Sequence, residues 1–242
     1  MSLKHFVICG DTHGSEVSIE ASEAFFKFLK IWKPPIRIHL GDAFDARPLR
    51  KGASEEEKRE TIYTDFNAGM DFLEQMKPTV FLRGNHDERI YDLATNGYGM
   101  AKEFALDLTS KIEKKLDKFK CPMLPYSKRD GIYELGKLKV AHGYAHGTLA
   151  ARKMAASFGN IVFGHTHGIQ VYSMETVENI VGMNIGCMCK LDFNYNRAML
   201  GSLVHRHGFA YGVVDTKTGE FQVFQAQSVN GRWILAQEVV EL

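Results

Sequence analysis

Cysteine is scarce in this chain. There are four in 242 residues, at Cys9, Cys121, Cys187 and Cys189, and none forms a Cys-x-x-Cys pair. That argues against a disulfide framework and for reduced thiols in a cytoplasmic protein. Proline is also sparse, six in all, and no Pro/Ser-rich linker or internal repeat divides the chain, so residues 1–242 read as a single domain. Long apolar runs are missing. None approaches the ~20 residues of a membrane-spanning helix, and the opening "MSLKHFVICGD" places a histidine and an aspartate around its short apolar run, unlike a signal peptide. Excess charge of either sign is absent too. The formal net charge is +1, which neither requires nor excludes a polyanionic partner.

What is present is an α/β pattern. "HFVIC" (5–9), "IRIHL" (36–40) and "TVFL" (79–82) are short apolar runs that read as buried parallel strands. Between them, residues 16–32 place Val17, Ala21, Ala24, Phe25, Phe28, Leu29 and Trp32 at helical spacing, and Pro34-Pro35 close the segment. Residues 54–76 form a second helical stretch, opened by the capping box Ser54 to Glu57. Alternation of strand and helix implies right-handed crossovers and a parallel sheet. Further on, 99–118 is helical, with "KIEKKLDKFK" as a solvated face. "GIYELGKLKVAHG" is a hairpin turning at Gly136-Lys137, 146–158 is a short helix, and "NIVFG" is another strand. After residue 168 come alternating runs, "IQVYS", "NIVGMNIG", "FAYGVVD", "EFQVFQA" and "WILAQEV", that read as antiparallel strands of a second sheet packed on the first.

The strands end in chemistry. Asp11 and His13, Asp42 and Asp45, Asn85, His86 and Asp87, His142, and His165 and His167 follow five separate strand ends. In open α/β sheets that edge is where ligands bind. Taken singly, each has an ordinary explanation: a Gly-Asp turn, a helix N-cap or a hydrogen-bonded surface imidazole. Together they crowd carboxylates that repel one another unless a polyvalent cation is present. Mixed imidazole and carboxylate ligands suit manganese, iron or zinc. The supply exceeds one tetrahedral ion, which points to two metals sharing a bridging carboxylate.

The ordered blocks Asp11-Thr12-His13, Gly41-Asp42-Ala43-Phe44-Asp45, Gly84-Asn85-His86-Asp87, His142-Gly143 and Gly164-His165-Thr166-His167 resemble those of the calcineurin-like metallophosphoesterase superfamily, and all five stand in its order. The resemblance implies two packed β-sheets flanked by helices and hydrolysis of a phosphoester by a hydroxide shared between two divalent cations, most simply manganese. It implies Asp11, His13 and His167 on the first metal, Asn85, His142 and His165 on the second, and Asp42 as the bridge. His86 would be the catalytic acid, oriented by Asp87, and Asp45 would orient a ligand histidine. His146 and the "HRH" at 205–207 fall outside the pattern and read as surface and loop residues, with a place on the substrate side of the site as the alternative.

The substrate signature is shorter. Ala46 stands where protein phosphatases of the superfamily carry an arginine. "GDAFD" and Asp87 lean toward the DNA-repair exonuclease branch, which makes nucleic acid or a nucleotide the expected diester partner. A phosphomonoesterase, including a serine/threonine protein phosphatase, is the alternative, and a non-catalytic scaffold of the same fold is the third.

Overall fold

A computed structural model describes residues 2–50, 52–191 and 200–235. The chain opens with β1 (Leu3–Cys9), α1 (Ile19–Trp32) and β2 (Ile36–His39). Ser18 caps α1 by accepting from the Ala21 N–H, and Lys33 ends it in the left-handed region ahead of Pro34. The stretch expected as one helix from 54 to 76 is broken. Ser54 and Glu57 form a complete capping box on a short helix, α2 (Glu55–Arg59). Glu60 is then extended, and Thr61 caps a new helix, α3 (Ile62–Met76), by accepting from the Tyr63 N–H. A second N-cap residue six positions after an apolar-poor start ends the first helix locally, because the Thr hydroxyl competes for the backbone.

After β3 (Val80–Leu82) comes α4 (Asp87–Asn96), which the sequence marked only by a possible cap, then α5 (Gly99–Lys118) and β4 (Met123–Leu124). The expected hairpin is β5 (Tyr133–Leu135) and β6 (Leu138–Val140), followed by α6 (Ala150–Phe158) and β7 (Ile161–Phe163). Next are β8 (Ile169–Ser173), β9 (Val181–Ile185), β10 (Gly208–Asp215), β11 (Phe221–Val229) and β12 (Arg232–Ile234). The end of the "WILAQEV" run lies outside the described residues.

Two mixed sheets result. The first has the order β12-β11-β10-β1-β2-β3-β4 and the second β5-β6-β7-β9-β8. The late strands therefore do not build one new sheet. β8 and β9 complete the second sheet, with β9 parallel to β7, while β10 pairs antiparallel with the free edge of β1. Alternation along β1 explains the layering. Phe6 and Ile8 point between the sheets, packed with Ile38, Leu82, Val140, Val162 and Ile185. Val7 and Cys9 point the other way, onto Phe25, Phe28 and Met76 of α1 and α3. On the far side of the second sheet, Ala151 and Met154 of α6 cover Ile161 and Phe163. Each such core side chain contributes roughly 1.5–3 kcal/mol by leaving water, so two inner faces and two helical layers hold the strand ends rigidly.

Candidate metal centre

β1, β2 and β3 run parallel in one sheet, and β6 and β7 run parallel in the other. Their carboxyl ends meet. The loops leaving them are tightly wound: Asp11, His13, Asp42, His165 and His167 all have φ between 49° and 71°. Non-glycine residues rarely adopt this region, at a cost of about 1–3 kcal/mol each, and five of them converge on one place. Two glycines let the loops close. A Cβ on Gly84 would overlap the Asp42 carboxylate, and one on Gly164 would overlap that of Asp11.

The side chains form two groups about Asp42. On one side, His13 Nε2 lies 3.0 Å from His167 Nε2 and 3.8 Å from Asp42 Oδ2, and His167 Nε2 lies 3.5 Å from Asp11 Oδ1. On the other, His142 Nε2 lies 3.3 Å from Asp42 Oδ2, 3.1 Å from Asn85 Oδ1 and 3.2 Å from His165 Nδ1. Asp11, His13, Asp42 and His142 are all buried.

The outer nitrogens reveal what the inner ones offer. His142 Nδ1 donates to the Leu40 carbonyl at 3.0 Å. His13 Nδ1 donates to Asp45 Oδ1 at 3.2 Å. A carbonyl and a carboxylate can only accept, so both rings carry their neutral-state proton outside and turn an Nε2 lone pair inward. The Nε2 lone pairs of His13 and His142 thus face His165, His167 and two buried carboxylates. Among the described residues, the ion pairs of Asp11 and Asp42 are all with histidines. Two buried carboxylates whose ion pairs among the described residues are with imidazoles alone fit cations, and mixed N/O donors fit divalent first-row ions. Four groups of His, Cys, Asp and Glu here bring their ligand atoms within 4.8 Å of one another, and two of these groups share Asp42.

Without cations, protons take up this charge. Burial opposes ionisation of His13, but the hydrogen bond and field of Asp45, with Asp42 and Asp11, raise it to about 10. Burial likewise opposes His142, and Asp42 outweighs it to raise the group to about 9. Burial and the charge on His142 push His165 down to about 3. Burial works against the Asp42 carboxylate, yet His142, His86 and His13 hold it well below the usual range.

Two expectations from the sequence change. Asp87 does not orient His86. Its carboxylate accepts from the Gly84 N–H at 2.8 Å and the Phe44 N–H at 3.1 Å, tying the loop after β2 to the start of α4. The partner of His86 is Asp45, whose Oδ1 is 2.6 Å from His86 Nδ1. Asp87 is the first residue of α4, and its side chain turns back onto the Gly84 and Phe44 N–H groups of the two loops, away from the ring beside it. Asp45 therefore holds two imidazoles, His13 and His86. It is itself held from behind: the backbone N–H groups of Asp45 and Ala46 donate to buried Asp65, a residue with no mark in the sequence beyond its helical position.

The second change concerns residues read as bystanders. His146 Nδ1 is 3.1 Å from His165 Nε2, so it lies against the outer nitrogen of that ring. Its spacing of four from His142 was the one available sign. Cys189 Sγ is 3.8 Å from His167 Nδ1. His205, read as a loop residue with reach over the site as the alternative, sets its edge on His167 with ring centroids 4.9 Å apart. His207 instead donates to the Cys189 carbonyl at 2.9 Å.

The centre lies in a cavity of about 340 Å³, also lined by Arg47, Arg50 and Arg89. Arg47 is fully engaged, pairing with Glu16, Asp45 and Glu60 at 2.9, 3.2 and 2.8 Å. Arg89 Nη1 donates to the Asp45 carbonyl at 2.6 Å.

No helix among the described residues is long and apolar enough to cross a membrane. The chain resembles, over 93% of its length and 95% of the other, Vps29 from Chaetomium thermophilum, at 13% identity and a TM-score of 0.46. It also resembles Yfce, a phosphoesterase from E. coli, at 15% identity, a TM-score of 0.40 and coverage of 91% and 97%. A third likeness is to a phosphatase from Mycoplasma pneumoniae, at 12% identity, a TM-score of 0.44 and coverage of 93% and 94%. No curated protein matches the sequence. The calcineurin-like phosphoesterase family model matches residues 4–168, the span that carries all five strand-end blocks, and the chain belongs to that family.

Proposed function

We propose that this chain is a dimetal phosphoester hydrolase acting on phosphodiesters, with nucleic acid or a nucleotide as substrate. The observation that carries the reading is Asp42, common to two clusters of imidazole and carboxylate groups that are buried except for the half-buried His165. In this reading Asp11, His13 and His167 hold one ion, Asn85, His142 and His165 hold the other, and Asp42 serves both. When bound, two divalent ions, manganese first and iron or zinc next, would activate water and neutralise phosphoryl oxygens.

The chain's own groups do the rest. His86 presents Nε2 to the cavity, 3.9 Å from Asp42 Oδ2, while Asp45 holds its other nitrogen. An imidazole fixed at Nδ1 is placed to pass the Nε2 proton to a departing ester oxygen. A chain that only bound partners would have no use for that proton, which weighs against a scaffold. The diester reading is favoured over a phosphoprotein phosphatase by position 46. A buried alanine stands there, and the neighbouring Arg47 is committed to three carboxylates instead of facing a phosphate. Four free, buried cysteines support a reducing compartment, the cytoplasm.

The test is hydrolysis of bis-p-nitrophenyl phosphate beside p-nitrophenyl phosphate by the manganese-loaded protein. Preference for the diester supports the reading. Preference for the monoester favours the phosphatase, and inactivity on both esters and on nucleic acid favours the scaffold.

A further inference from the structure

Beside the metal centre runs a second depression of about 750 Å³ that shares three walls with it, Arg50, Asn85 and Arg89. The two depressions adjoin at these three residues, and the second extends as a trough along α4. The helix writes an ordered set of chemistries into that trough. Arg89, Asp92 and Asn96 are spaced three and four apart, so they share one face of α4, and all three line it. The guanidinium is at the metal end, the carboxylate is next and the carboxamide is last. Leu93 lies on the same wall, and the trough ends at Tyr98, in the turn before α5. The Tyr98 ring is 89% exposed, and its side chain makes no capping bond to the helix it precedes.

We propose that this trough seats the nucleoside of a nucleotide substrate, with Tyr98 and Leu93 under the base. The inference rests on the phosphoesterase reading and names the substrate class for the same site. The sequence of groups along α4 matches the sequence of groups along a nucleotide. Arg50, paired with Glu57 at 2.7 Å, and Arg89, donating to the Asp45 carbonyl, bring positive charge to the phosphate end of the depression. The Asp92 carboxylate can accept from sugar hydroxyls. The Asn96 amide offers a donor and an acceptor in one plane, as a base edge does. The Tyr98 face offers stacking to any base. A simple alkyl ester would reach neither Asp92 nor Asn96, both exposed along the depression, and so would leave these contacts unmade.

The test compares adenosine 5′-monophosphate with methyl phosphate by titration calorimetry on the manganese-loaded protein. Both carry the same phosphate, so the ratio of affinities isolates the nucleoside. The wild-type protein is expected to favour the nucleotide by tenfold or more. Tyr98→Ala, at a position exposed enough to leave folding intact, is expected to cut that ratio at least fivefold, as loss of one base stack does. A ratio near one in the wild type, or the same ratio in Tyr98→Ala, overturns the proposal. So does tighter binding of a phosphoserine peptide than of the nucleotide. Binding is read independently of turnover. A protein that hydrolyses neither p-nitrophenyl ester nor nucleic acid but still discriminates the nucleotide would refute the hydrolase reading and uphold the trough.

Discussion

His86 Nδ1 and Asp45 Oδ1 are 2.6 Å apart, and the same carboxylate oxygen accepts from His13 Nδ1 at 3.2 Å. One buried carboxylate therefore sets the orientation of a proposed metal ligand and of the proposed acid. Charge on both imidazoles and their hydrogen bonds hold Asp45 far below the ordinary carboxylate range, against its burial. It stays an acceptor at every working pH.

That shared contact separates two substitutions. His86→Ala is expected to lower kcat by about 10²–10⁴-fold, the usual contribution of a positioned acid, and to keep the full metal content. Asp45→Asn is expected to lower both turnover and metal affinity, the latter by roughly 10–100-fold, because it also releases His13. Kinetics together with elemental analysis check the pair. Metal loss in His86→Ala would refute its placement outside the ligand set.

Asp42→Asn removes the charge common to both clusters. Its expected signature is reduced occupancy of both ions together, measured as metal-to-protein ratio after dialysis. A variant that loses one ion and keeps the other at full occupancy would refute a shared ligand.

Asp87 is a structural residue in this geometry. Asp87→Ala leaves the buried N–H groups of Gly84 and Phe44 without their acceptor, a loss of about 1–3 kcal/mol for each group. The expected result is a lowered unfolding midpoint, with turnover per folded molecule much closer to wild type than that of Asp45→Asn. The reverse order would restore Asp87 as the partner of His86.

Stability of the metal-stripped protein is expected to fall on the alkaline side. His13 and His142 hold protons up to about 10 and about 9 in the folded chain, against roughly 6.5 when unfolded. The stabilisation from their charged forms is fully present below about pH 6.5 and is lost as pH rises through the folded values. Bound cations must expel those protons, so metal affinity rises over the same range. Urea midpoints from pH 7 to 10 and metal titrations at the same pH values check both directions. A midpoint that stays level, or climbs, as pH rises would contradict them.

The sequence by itself determined which side chains gather. Asp11, His13, Asp42, Asn85, His142, His165 and His167 each sit within a few residues of a strand end, and parallel strands must finish on one edge. That is local patterning plus handedness, so it is legible in one dimension. The tertiary structure alone decided what stands behind and beside them. His86 takes Asp45, 41 positions away, instead of its neighbour Asp87, because the Asp87 carboxylate is taken up by the N–H groups of Gly84 and Phe44. Cys189 and His205 reach His167 because β8 and β9 close the second sheet while β10 returns to the first. No periodicity announces such encounters. They depend on which edges of two sheets remain open to late strands, and that is settled only when the inner faces pack.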